Sequence, residues 1–266
     1  MRLQWLIRSS PDAKATWAKI GLFLRLSQPT FIPKSGPASP FFNAGVPMTD
    51  SSTELSIDIV SDVVCPWCFV GKRQVEEAIE QYGKVHPAVR ITTRWHPFQL
   101  NPDLPAEGVA RSDYLRAKFG TDDTRGLYTR VRGAAQAVGL TLAMESIARQ
   151  PRTVVAHALL ELAAEEACQD AMAEALFKAY FQQGRDLTDP QVLRGVAQLG
   201  GLSEPAIDRA LTDTALHERV ADADRRAREA GISGVPCFII NRRSAVSGAQ
   251  GAEALLEAME SALAGA

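Results

Sequence analysis

Leu55-Ser56-Ile57-Asp58-Ile59-Val60-Ser61-Asp62-Val63-Val64-Cys65-Pro66-Trp67-Cys68 is the stretch whose reading decides the fold of this chain. Residues 55–60 alternate apolar and polar almost strictly, which is the period of a β-strand. Beyond the cysteines, Val75, Ala78, Ile79 and Tyr82 are spaced for one face of a helix running from Val70 to Tyr82. Cys65 therefore falls where a strand gives way to a helix. Pro66 suits the first helical turn, where a missing N–H leaves nothing unsatisfied. The free N–H groups and the dipole of that turn favour an anion, and so favour Cys65 in its thiolate form. Cys68 lies one turn further on and faces the same way, close enough to close a disulfide with Cys65 or to open a mixed one. The chemistry that this spacing suits is dithiol–disulfide exchange, with Cys65 attacking and Cys68 resolving. C-x-x-C is also half of a zinc knuckle. A knuckle brings a second close pair, whereas Cys168 and Cys237 stand alone, so the pattern favours redox over metal.

The remaining sequence bounds the setting. With 266 residues, 46% hydrophobic and 23% charged, the chain is long enough for one large domain or a domain carrying a big insertion. Four cysteines, only two of them close in sequence, make no disulfide framework. No apolar run is long enough to span a bilayer. Residues 1–47 hold six basic residues against one acid, a balance of +5, which leaves −7 for residues 48–266 of a chain whose total is −2. Three readings compete for this segment: a targeting peptide, a loosely docked arm, or sequence upstream of a true start at Met48. The short apolar run Ile20-Gly21-Leu22-Phe23-Leu24 is broken by Arg25 before any small-residue cleavage site, which argues against the first. The expectation is a start at Met48, with 1–47 a basic extension that is disordered or not part of the native protein, and a cytoplasmic location. The mildly acidic body offers nothing to nucleic acid, and a membrane partner is not expected.

After the first helix, Val89–Trp95 reads as a second strand, giving a βαβ half over residues 55–110. Three prolines, Pro97, Pro102 and Pro105, mark the loop that follows. Helical patterns then run over Ser112–Phe119, Thr124–Val138, Thr153–Cys168, Ala171–Gln183, Pro190–Leu199 and Glu204–Leu211, an all-helical insertion across 111–212. Gly120, Gly139, Gly184 and Gly200-Gly201 suit C-caps, and Asp189 and Ser203 suit N-caps. A helix over Ala215–Ala230, strands over Val235–Ile240 and Ala245–Ser247, and a closing helix over Ala252–Leu263 complete an αββα half, 213–266. The expected fold is α/β and thioredoxin-like, with the helical block inserted between the βαβ and ββα halves.

Several motifs together resemble the DsbA-like branch of the thioredoxin superfamily, most closely its FrnE-type members. They are Asp62-Val63-Val64-Cys65-Pro66-Trp67-Cys68, Gly71-Lys72-Arg73, Pro97-Phe98-Gln99-Leu100-Asn101-Pro102-Asp103-Leu104-Pro105 and Ala156-His157. Further along come Ala175–Phe181, Gly231-Ile232-Ser233-Gly234-Val235-Pro236 and Ser247-Gly248-Ala249-Gln250. The resemblance implies a thiol–disulfide oxidoreductase with catalytic Cys65 and Cys68 and a cis peptide at Val235-Pro236 packed against the cysteine turn. It implies that Val235 and Pro236 pair with an extended substrate, in the manner of an added strand. Trp67, Phe98 and Asn101 are the other substrate-contact candidates, while Pro66 and Asp62 modulate the pair. The expected partner is a thiol or disulfide protein or small molecule, with the chain a monomer or homodimer. No resident cofactor is expected, and glutathione enters only as a co-substrate. Glutathione-dependent isomerases and kappa-class transferases share the helical insert and form the alternative enzyme reading. They carry Ser at the position of Cys65 and lack the second cysteine. A non-catalytic peptide-binding chaperone is the third.

Three departures from the family pattern stand out. Ile59 occupies the position where many relatives bury a proton-relaying acid, Trp67 replaces the His found between the cysteines of DsbA proteins, and Cys237 follows the expected cis-proline. Alternation places Cys237 with Ile239, which makes it a structural, slow-reacting thiol. Asp62 reads either as a proton-transfer group or as a turn cap, and His157 as a hydrogen-bonded helical histidine. Arg152-Thr153 stands where relatives often show Asn before Thr or Ser, and Glu165-Glu166 beside Cys168 should keep that thiol sluggish.

Overall fold

Leu55, Ile57 and Ile59 are buried on one face of β1 (Glu54–Ser61), and Asp58 and Val60 on the other, which makes β1 the central strand of a four-stranded sheet. This computed structural model describes residues 18–21, 54–121 and 123–264. The chain leaves β1 through α1 (Pro66–Val85) and returns in β2 (Arg90–Pro97), parallel to β1. Near the C-terminus, β5 (Cys237–Ile240) pairs antiparallel with the other edge of β1, and β6 (Ser244–Ser247) pairs antiparallel with β5, so the sheet order is β2-β1-β5-β6. Register sets Ile59 opposite Phe238 and Val60 opposite Cys237. Directly opposite residues share a face, so two layers form.

The first layer joins Ile57, Ile59, Phe238 and Val246 to α1 and to the closing helix α10 (Ala252–Ala264). The second joins Val60, Phe98, Cys237 and Ile239 to Ala227 of α9 (Thr214–Glu229). Ile20, one of the four helical residues 18–21, is buried in this second layer; the rest of the basic extension lies outside the described residues.

Between the halves comes the helical insertion: α2 (Arg111–Phe119), α3 (Thr124–Leu127), α4 (Thr129–Ala137), α5 (Val154–Glu165), α6 (Gln169–Phe181), α7 (Pro190–Leu199) and α8 (Glu204–Thr212). It is fastened to the sheet by aromatic packing. Phe177 of α6 stacks on Phe69 of α1 at 5.1 Å between ring centres and meets Trp95 of β2 edge-on at 6.0 Å. The chain thus has the thioredoxin-like α/β fold with a large helical insertion that its sequence pattern implies.

Three local features differ from the pattern reading. The helix expected over 124–138 breaks at Tyr128 (φ −98°, ψ 1°), whose ring is buried and whose hydroxyl is held by Arg111. Asp189 caps α7 by accepting from Gln191 N at 2.8 Å, but the Ser203 hydroxyl turns away from its helix and donates to Glu166. A two-residue ladder also forms, β3 (Val109–Ala110) against β4 (Arg149–Gln150), too short to show in any period. It sets the start of α2 beside Gln150.

Candidate active site

Cys65 is the N-cap of α1, with extended backbone (φ −95°, ψ 111°), and Pro66 opens the helix. Its N–H donates to the Asp62 carbonyl at 3.0 Å, and its own carbonyl accepts from the N–H of Cys68 at 3.0 Å. A turn therefore delivers Cys65 from β1, and the first helical turn brings Cys68 round beneath it. Across the turn, the Val235–Pro236 peptide is cis, and the Cys65 thiol donates to the Val235 carbonyl at 3.7 Å.

Gly71 is what lets these parts meet. A β-carbon there would stand 2.9 Å from Phe238 Cζ and 3.0 Å from Pro236 Cγ. In an open helix, Gly→Ala gains about 0.8–1 kcal/mol. Here the added methyl presses on a buried ring, and overpacking costs about 1–3 kcal/mol. Gly71→Ala is therefore expected to lower stability by about 1 kcal/mol net, read by urea unfolding. An increase in stability would show that β5 yields freely.

The two thiols differ in surroundings. Both are buried and unpaired, Cys65 at 5% exposure and Cys68 at 1%. Cys65 lines a cleft of about 450 Å³ together with Pro66, Trp67 and Leu100, whereas Cys68 does not. Burial pushes the Cys68 thiol well up, the neighbouring Cys65 adds to this, and the Ser61 hydroxyl and Asp62 backbone oppose it.

Asp62 is fully buried and accepts from Leu100 N at 2.7 Å, tying the loop after β2 to the turn before Cys65. Its other oxygen lies 3.4 Å from His157 Nε2 on α5, also buried, and neither atom has a hydrogen-bond partner at good geometry. Asp62 is thus more than a local turn cap, and His157 has a definite acidic neighbour. Their separation of nearly a hundred positions hides the pairing from any sequence pattern.

The other expected contacts divide between the cleft and the core. Trp67 is half-buried on the cleft wall. Phe98 is buried in the second layer with the Arg228 guanidinium 4.1 Å from its ring centre, so it does not line the cleft. Its N–H continues the ladder onto the Ser61 carbonyl, which turns the ring inward and presents Leu100 instead. Asn101 is half-buried and is not part of the cleft wall. Cys237 shares the second layer with Ile239, and burial pushes its thiol up to about 12. Burial and then Glu166 raise the Cys168 thiol. Among the described residues, no group of three or more His, Cys, Asp or Glu is placed to hold a metal ion.

A charged cluster behind the site escaped the pattern reading. Lys72, 2% exposed, contacts Glu76, Asp170 (2.9 Å) and Glu174 (3.5 Å), and Arg73 bonds Glu76 and Glu174. It joins α1, which Cys65 caps and which carries Cys68, to α6 of the insertion.

Comparison with known proteins agrees with this architecture. Residues 56–260 match the family model described as a DSBA-like thioredoxin domain. The chain is 28% identical over 204 residues to the uncharacterized protein YwbO of Bacillus subtilis (strain 168), covering 76% of this chain and 94% of that protein. Among solved structures, a probable DsbA oxidoreductase from Streptomyces coelicolor superposes with a TM-score of 0.70 at 29% identity, covering 79% of this chain and 90% of the other. The cytosolic disulfide reductase DsbM from Pseudomonas aeruginosa, solved with GSH, matches at a TM-score of 0.56 and 19% identity, over 79% of this chain and 99% of that one; at that identity the likeness is one of fold.

Proposed function

Because the chain belongs to the DSBA-like thioredoxin domain family, we propose that it is a thiol–disulfide oxidoreductase in which Cys65 exchanges with substrate and Cys68 resolves. The observation that carries this reading is the Cys65 thiol at the helix N-cap, 3.7 Å from the Val235 carbonyl, with a second, buried thiol one turn behind it. The attacking sulfur stands at the helix N-cap on the cleft, while burial pushes the Cys68 thiol up and favours its protonated form. Val235, half-buried ahead of β5, is the proposed contact for an extended substrate, with Trp67 shaping the approach. The FrnE-type assignment rests on the Asn101-Pro102-Asp103-Leu104-Pro105 loop and the Gly234-Val235-Pro236 turn. Glutathione-dependent isomerases of this fold work without a second cysteine, so the buried Cys68 favours exchange over isomerisation.

The test is selective labelling followed by redox titration. Iodoacetamide at neutral pH should modify Cys65 first, with Cys68 and Cys237 slow, and a glutathione redox buffer should close a Cys65–Cys68 disulfide. Faster labelling of Cys68 would reverse the roles. Absence of that disulfide at any buffer ratio, with aggregation suppression surviving replacement of both cysteines by serine, would favour the chaperone reading instead.

A further inference from the structure

We propose that Arg111 forms an anion subsite in the cleft beside Cys65, and that the disulfide exchanged there is a small molecule with an apolar body and a carboxylate. The proposal rests on the exchange reading above. Among the described residues, every charged group lining the cleft is a cation: Arg111, with Lys118 and Arg130 at its exposed rim. Arg111 is 9% exposed. Its guanidinium donates to Gln150 Oε1 and, at 2.6 Å, to the Tyr128 hydroxyl, and the ring centres of Tyr114 and Tyr128 lie 5.3 and 5.9 Å away. All of these partners are neutral. Its Nε is buried without a hydrogen-bond partner, and among the described residues Arg111 takes part in no ion pair.

Lys72, the other deeply buried cation near α1, is met by three carboxylates. The contrast matters because a guanidinium keeps its charge, and a buried charge without a counter-ion is unfavourable unless a ligand supplies one. The planar fork of Arg suits a carboxylate, which one such group can neutralise. Trp67, Leu100, Leu127 and Val131 supply apolar walls, and a volume of about 450 Å³ suits a compact ligand better than a folded chain. The β3–β4 ladder holds Arg111 in place, because its N–H donates to the Ala148 carbonyl at 2.8 Å while Gln150 faces its side chain.

In the reaction, the Cys65 thiolate attacks one sulfur of R–S–S–R, the S–S bond breaks, and the first R–S⁻ leaves. Cys68 then gives up its proton to solvent and attacks Cys65. The Cys65–Cys68 disulfide forms, the second R–S⁻ leaves, and two electrons have passed from the protein dithiol to the substrate.

The test compares two chromogenic disulfides on the reduced full chain: 5,5′-dithiobis(2-nitrobenzoate), whose halves are carboxylates, and 4,4′-dithiodipyridine, which is uncharged at neutral pH. Arg111→Gln should slow the benzoate reagent about tenfold or more, the size of a lost charge-assisted bond, and leave the pyridyl reagent within roughly twofold. Arg111→Lys should recover part of the loss. Equal changes with both reagents, or none, overturn the subsite. If the unaltered chain reacts with neither reagent faster than a free thiol, the exchange reading itself fails. Should Arg111→Gln not fold, the unaltered chain still decides. There, 4-nitrobenzoate should slow the pyridyl reaction and 4-nitrobenzamide should not; equal slowing by both, or none, overturns the proposal, as does stronger competition by phenyl phosphate.

Discussion

A Cys65→Ser variant is expected to reduce insulin no faster than dithiothreitol alone, while Cys68→Ser should start the reaction and stall on a mixed disulfide. The two losses differ because the two sulfurs sit differently. Cys65 caps the helix and lines the cleft, so its removal takes away the only described thiol that the cleft reaches. Cys68 touches no cleft space, so its removal leaves attack intact and abolishes escape. Mass spectrometry of Cys68→Ser after exposure to a disulfide should show one adduct, on Cys65. A free Cys65 and undiminished turnover would sink the division of labour.

The pH dependence follows from the raised Cys68 thiol. Resolution needs that proton removed, and burial, the largest cause of the rise, persists when Cys65 is held in the mixed disulfide, so the second step should quicken as pH rises. The same shift acts on stability. A thiol whose folded value lies above its unfolded value, about 8.5, adds stability that is whole below that pH and lost as pH climbs through the folded value. Alkaline solutions should therefore speed resolution while weakening the fold, a pairing that stopped-flow kinetics and urea unfolding can separate.

Removing the charge of Lys72 should have the next largest effect, this time on stability. Breaking a buried ion pair by taking one partner costs about 3–5 kcal/mol. The Glu76 and Asp170 side chains are 39% and 55% exposed, and Arg73 still holds Glu76 and Glu174, so the expected loss for Lys72→Met at neutral pH is nearer 2 kcal/mol. Burial alone would depress Lys72, but Glu76 and Asp170 more than reverse this and its amine ends above its usual value. That contribution is whole below about pH 10.4 and lost as pH rises through the folded value. Glu174 behaves oppositely. Burial pushes its carboxyl up, yet Arg73, Lys178 and Lys72 hold it below the usual range. Its contribution is present above about pH 4.3 and lost as pH falls through the folded value. The difference between Lys72→Met and the unaltered chain should thus shrink as acid protonates the carboxylates. A difference that persists at pH 3 would mean that the lysine stem, and not its charge, fills the site.

The strand–turn–helix around Cys65 was legible because its causes are local. Alternation from Leu55 to Val60, a proline at the first helical position and apolar spacing through Tyr82 all act within one or two turns. The insertion was legible for the same reason, since six helical patterns announce themselves by period. Its break at Tyr128 was not, because it depends on a hydroxyl reaching Arg111, seventeen positions earlier in the chain. The loop after β2 shows a different limit. Phe98 is a plausible groove residue by position, yet the ladder bond to Ser61 sends its ring into the second layer, and one residue of alternation separates the two outcomes.

By itself, the sequence determined the order of elements, the pair of thiols at a βα junction and the place of the inserted helices, since each is written in spacing over a few residues. Only the tertiary structure decided which distant groups meet: Asp62 with His157, Lys72 with the carboxylates of α6, Gly71 under Phe238, and Arg111 left without an acid in the cleft. The physical reason is that burial and charge pairing are properties of the packed interior. Whether a buried cation finds its counter-ion depends on which elements the fold brings to it, and no period along the chain encodes that.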